Sequence, residues 1–136
     1  MSELGISDST AHPLAYYRNH LEFLGYRVEE GDDEIVGRHT RKPNLMVRPI
    51  SDRGVLVSTV YSFKTSFSRL ETLEYVNTLN STLMFMKAYV DEDDDLVMET
   101  FFEGQYDRSN FSILLDNIDY DTRIFLELEL TQVYFA

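Results

Sequence analysis

The sequence contains no cysteine and no tryptophan, only three prolines and six glycines, and half as many basic residues (12) as acidic ones (24). Each shortage removes a class of chemistry. Without cysteine there is no disulfide framework, no thiolate nucleophile and no Cys-ligated metal, as suits a reducing cytoplasm. The glycines stand singly, so no Walker or Rossmann loop cradles a phosphate. Neither a G-x-S-x-G elbow nor an H-E-x-x-H pair occurs. A sugar cleft would be expected to use tryptophan platforms, and none are available.

Long apolar runs are missing too. The longest, Leu83 to Met86, stops at Lys87, far short of the roughly 20 residues that span a bilayer. Met1 to Thr10 holds neither a basic residue nor an apolar run, so no signal peptide is expected there. The formal charge of −12 repels nucleic-acid phosphates and anionic lipid, and neither is expected as a partner. Acidity suits a basic protein partner, although solubility alone accounts for most of it.

What is present describes a globular chain. At 136 residues, with 43% apolar and 13% aromatic content, residues 1–136 are expected to form one domain with a sizeable core. A helix is predicted from near Thr10, capped by Ser9 or Thr10, with Pro13 tolerated in its first turn. Leu14, Tyr17, Leu21 and Leu24 give it one apolar stripe, and Gly25 ends it. Alternation around Tyr26 and Val28, then Ile35 to Arg41, Leu45 to Ile50 and Val55 to Tyr61, predicts an antiparallel meander with turns between.

A second helix is predicted to open at Ser66 or Ser68, where Ser68-Arg69-Leu70-Glu71 has the spacing of a capping box. Leu70, Leu73, Val76 and Leu79 form its expected apolar face, and Asn80 its end. Leu83 to Val90 and Leu96 to Phe102 flank the acidic turn Asp91 to Asp95 as a second hairpin. From Asp107 the chain is predicted helical to its end, with room for fraying or a kink around Asn117 to Asp121. Leu126 to Leu130 also alternates like a strand, yet Leu and Glu favour helix.

Tyr75-Val76-Asn77-Thr78-Leu79-Asn80, followed by Lys87-Ala88-Tyr89-Val90, the acids 91–95 and Leu96-Val97-Met98-Glu99, resembles the YbjN family. Those proteins, also called bacterial sensory transduction regulators, show an Asn-x-x-Asn helix end, a strand, an acidic turn and a second strand. The family turn often carries glycine where this chain has only acids. The resemblance implies an α+β fold like that of type III secretion chaperones, which are small, acidic, dimeric and cytoplasmic. An antiparallel sheet of about five to six strands is expected, with helices at the start, middle and end on one side of it. A homodimer is implied as well.

Other constellations are weaker. Asp91, Asp93 and Asp95 alternate as the first ligands of a calcium loop do, but the sixth and twelfth loop positions hold Leu96 and Phe102 instead of Gly and Glu. A solvated turn is the expectation. Glu29, Glu30, Asp32, Asp33 and Glu34 surround another turn, and the two would form one negative patch if they shared an end of the sheet. Arg38, His39, Arg41, Lys42, Arg48 and Arg53 are read as outward residues balancing nearby acids. His12 and His20, two helical turns apart, are too far apart to share a metal.

Aromatics concentrate at Tyr61, Phe63 and Phe67, at Phe101, Phe102 and Tyr106, and at Tyr134 and Phe135. They are more than one small core is expected to absorb, and exposed aromatics anchor interfaces. The reading is a non-catalytic, chaperone-like or regulatory module that holds a segment of a partner protein, with no cofactor and no metal. Its expected anchors are Phe63, Phe67, Phe101 and Tyr134, with Asp91, Asp93 and Asp95 steering a basic segment. The alternative is an acidic inhibitor or immunity-type protein that blocks a basic enzyme surface.

Overall fold

The computed structural model of the chain describes residues 12–135. The stripe Leu14, Tyr17 and Leu21 is buried by helix α1 (Ala15–Phe23), whereas Leu24, expected on the same stripe, is exposed. The expected caps Ser9 and Thr10 lie outside the described residues. Instead His12 Nδ1 accepts the Leu14 N–H at 3.1 Å, and its carbonyl accepts that of Ala15. Gly25 closes the helix at φ +96°, a left-handed conformation that costs glycine little.

The meander follows as β1 (Arg27–Glu30), β2 (Ile35–Arg38), β3 (Leu45–Ile50) and β4 (Gly54–Ser62). β2 stops three residues earlier than expected. His39 Nδ1 accepts the amides of Arg41 and Lys42, and Asn44 Oδ1 accepts that of His39. Side-chain acceptors thus pull these residues into a turn in place of a ladder. At the head of β4, Gly54 has φ +148°, and a Cβ there would collide with the Phe102 carbonyl.

Helix α2 (Arg69–Thr82) begins on the capping box: Ser68 Oγ accepts the Glu71 N–H, and Glu71 Oε1 accepts that of Ser68. Its buried face is Thr72, Tyr75, Val76 and Leu79, so Leu70 (67% exposed) and Leu73 point away from the core. The apolar period of three drifted off the true face, and Tyr75 takes the central place. Asn80 does not end the helix, which runs on to Thr82.

The second hairpin is β5 (Lys87–Val90) and β6 (Asp95–Glu103). The sheet is six-stranded and antiparallel in every pair, in the order β1-β2-β3-β4-β6-β5. β6 pairs with β4 over nine residues, from Gly54↔Glu103 to Ser62↔Asp95. Since β4 and β5 both oppose β6, they are parallel to one another. Such strands need a crossover, and α2 supplies it.

The tail is α3 (Arg108–Glu127) and α4 (Glu129–Tyr134), helical as expected. The expected kink at Asn117–Asp121 is absent, because Ile118, Asp121, Thr122 and Phe125 continue one buried stripe through it. The break falls at Leu128, whose ψ of 125° is extended.

The helices pack against one sheet face, which contributes Ile35, Leu45, Val47, Val55, Val57, Ala88, Leu96 and Met98 to a single core with Leu21, Tyr75, Phe111 and Phe125. Among the described residues, no helix covers the opposite face. Met46, Val60, Tyr89 and Phe101 are exposed there around Glu99, which is 5% exposed and accepts the Tyr89 O–H at 2.9 Å while pairing with Lys87. Burial, and next the bond to Glu99, raise the Tyr89 pKa.

Candidate functional site

Phe63 follows β4, and Phe67 sits in the loop that the capping box of α2 fixes in place. On the neighbouring hairpin, Asp91 Oδ1 accepts the amides of Asp93 (3.0 Å) and Asp95 (2.9 Å), while Asp94 takes φ +60°. An aspartate holding amides two and four residues ahead is the local device that makes an all-acid turn feasible without glycine. The register Ser62↔Asp95 then brings this turn beside the loop. Between them lies a groove of about 390 Å³, with Phe63, Phe67 and Arg69 on one side and Asp93, Asp94 and Asp95 on the other.

The groove has an aromatic backing. Tyr134 stacks on Tyr75 at 4.8 Å between ring centroids and lies 4.4 Å from Phe67. Phe135 packs on Phe63 at 4.6 Å. The Tyr134 carbonyl accepts the Lys64 N–H, and Tyr75 Oη lies 2.7 Å from Thr131 Oγ1, which ties α4 to α2. Burial pushes the Tyr75 hydroxyl up to about 12, with the Thr131 bond acting against it. The aromatic groups expected near Phe63 and at the chain end are therefore one cluster, linked through space.

The expected anchors separate into distinct places. Phe63, Phe67, Asp93 and Asp95 line the groove. Tyr134 supports it from behind. Asp91 spends a carboxylate oxygen on its own turn, which makes it an organiser of that turn. Phe101, 41% exposed, faces the helix-free side of the sheet, while its neighbour Phe102 is buried on the core side. Strand alternation puts Phe101 out of reach of the other anchors.

The two acidic turns do not form one patch. The turn at 31–34 joins β1 to β2 at the end where β4 begins, and Asp91–Asp95 joins β5 to β6 where β4 ends. With β1 and β5 as opposite edges, the turns occupy diagonal corners of the sheet. The basic residues are likewise dispersed: Arg38 pairs with Glu29 and Lys42 with Asp119. Among the described residues no group of three His, Asp or Glu side chains is placed to hold a metal, and no helix is long and apolar enough to cross a membrane.

Sequence reasoning missed several residues. Arg69, at the first helical position after the cap, pairs with Asp94 across the groove. Only the β4–β6 register reveals this. Asp121 is fully buried and accepts the amides of Met84 (3.0 Å), Phe85 (2.8 Å) and Met86 (2.7 Å). Its signal was legible: an acid between Ile118 and Phe125 on the apolar stripe of α3. The sequence marks His20 only as standing too far from His12 to share a metal. Its Nδ1 lies 2.7 Å from Tyr106 Oη and its Nε2 3.2 Å from Ser112 Oγ.

A family model described as "YbjN: Putative bacterial sensory transduction regulator" matches residues 17–127. That span includes Phe63, Phe67 and the acidic turn, and stops before α4. Among solved structures, the crystal structure of YbjN from E. coli, described as "a putative transcription regulator", matches with a TM-score of 0.65 at 17% identity. The match covers 82% of this chain and 86% of that one, and shows a shared fold. No curated protein matches the chain.

Proposed function

The chain belongs to the YbjN family, and on that premise we propose that it is a non-catalytic regulator that holds a basic segment of a partner protein in the groove between α2 and the β5–β6 turn. One observation carries this reading: Phe63 and Phe67 share a groove with Asp93, Asp94 and Asp95. A lysine or arginine has an apolar stem and a cationic head, and the groove offers ring surface beside carboxylates at matching reach. Arg69 occupies Asp94, while the ion pairs of the described residues involve neither Asp93 nor Asp95. Those two are left for the partner. The segment is held by flat aromatic contact and steered by charge.

In this reading the protein is cytoplasmic, and two copies pair through the sheet face around Met46, Val60, Tyr89 and Phe101, which exposes apolar side chains that no helix of the described residues covers. Sedimentation of the pure chain tests that part. An acidic inhibitor would need a continuous acidic face, and turns at diagonal corners favour the groove instead. The experiment is affinity capture from the source cell, comparing the native chain with Phe67→Ala and with Asp93→Asn/Asp95→Asn. A partner retained at full yield by both variants overturns the groove.

A further inference from the structure

A second cavity, of about 350 Å³, opens between α1 and the first turn of α3. It lies away from the groove, beyond the Glu103 end of β6, and its chemistry differs. Among its walls, Tyr16, His20, Phe23, Arg108 and Ser112 carry the argument, and none of its lining residues is a carboxylate. In a chain whose acids outnumber its bases two to one, walls without carboxylates spare an anion direct repulsion.

Arg108 supplies the positive charge. Its guanidinium carbon lies 5.9 Å from the Phe23 ring centroid, and the ion pairs of the described residues do not involve it. The flanking rings are unusually bare, Phe23 being 80% and Tyr16 71% exposed. Tyr16 is held flat by stacking on Tyr106 at 5.6 Å and 11°. The floor is polar and preorganised. His20 bridges Tyr106 Oη and Ser112 Oγ, and its ring stands edge-on to Phe111 at 5.1 Å. A neutral His20 with its proton on Nε2 donates to Ser112 Oγ and leaves the Ser112 hydroxyl hydrogen for a ligand acceptor.

We propose that this cavity binds a small aromatic carboxylate, with Arg108 forking onto the carboxylate and the rings of Tyr16 and Phe23 covering the apolar part. The guanidinium fork matches two carboxylate oxygens. A monoanion fits better than a phosphate dianion. One cation is present, and the helix N-terminus beside it is already taken by Asp107, whose carboxylate accepts the Asn110 N–H at 2.8 Å. The volume is within the usual range for small-molecule sites. This site stands apart from the partner groove, and either reading survives the loss of the other.

The test is an NMR titration of the full chain with phenylacetate, following the His20 ring, identified by its loss in His20→Gln. Phenylacetamide, the neutral analogue, is the control. Saturable shifts with a dissociation constant of about 0.1–1 mM are expected for a ligand with roughly ten non-hydrogen atoms. Arg108→Gln, at an exposed first-turn position, weakens binding about tenfold or more. Phe23→Ala weakens it from the opposite wall and serves if the first variant misfolds. No saturable response, an equal response to the amide, or full affinity in both variants overturns the proposal.

Discussion

Asp121 Oδ2 accepts the backbone N–H of Phe85 at 2.8 Å, and the same carboxylate accepts those of Met84 and Met86. One fully buried acid on α3 therefore holds the whole connection between α2 and β5. A buried carboxylate is unfavourable unless satisfied, and three amide donors satisfy it. Removing it leaves three amides without their acceptor. Asp121→Ala is expected to cost on the order of 3 kcal/mol or more in urea unfolding. Asp121→Asn, which turns an N–H donor toward those amides, should also destabilise. A change below about 0.5 kcal/mol, the range of an indifferent surface site, would show that the clamp does not hold the fold.

Asn80 makes a second clamp. Its amide nitrogen donates to the Ala88 carbonyl at 2.8 Å, and its Oδ1 accepts the Ala88 N–H at 2.9 Å. β5 is an edge strand, and Asn80 occupies the backbone groups through which another strand would pair. Asn80→Ala is expected to cost about 1–2 kcal/mol and to speed amide exchange at Ala88 ahead of the β4–β6 ladder. Unchanged exchange at Ala88 would refute the role.

His20 gives the fold a pH dependence. Burial, and next the Arg108 charge, hold its pKa below 6.5. The folded chain therefore takes up this proton at lower pH than the unfolded one. The contribution is present in full above about pH 6.5 and is lost as pH falls through the folded value. Thermal melts of the native chain should drop between about pH 7.5 and 5.5 more than those of His20→Gln. Parallel curves would exclude His20 as the source.

Much of this fold was legible because local signals agreed with one another. Ser68 and Glu71 stand at capping-box spacing and form that box. The strands around Val47 and Val57 alternate as their burial requires, whereas β6 buries Leu96 to Glu99 in succession. Where the sequence misled, the deciding interaction came from elsewhere in the chain. Leu70 and Leu73 look like core on α2, yet crossing to the far edge of the sheet turned Tyr75 inward. The continuous stripe of α3 moved the expected kink to Leu128. Phe101 was grouped with Phe63 by residue type, and strand parity put it on the other face. The groove itself depends on Ser62 meeting Asp95, a register that no local pattern encodes.

In the proposed complex a partner segment lies against Phe67 beside Asp93 and Asp95. The most direct measurement places a photo-crosslinking amino acid at position 67 and, separately, at position 101, in the source cell. An adduct with another protein is expected from position 67, weaker when Asp93 and Asp95 are neutralised, and none with that protein from position 101. The same adduct arising from position 101 and not from position 67 would contradict it, and would move the binding surface to the helix-free face of the sheet.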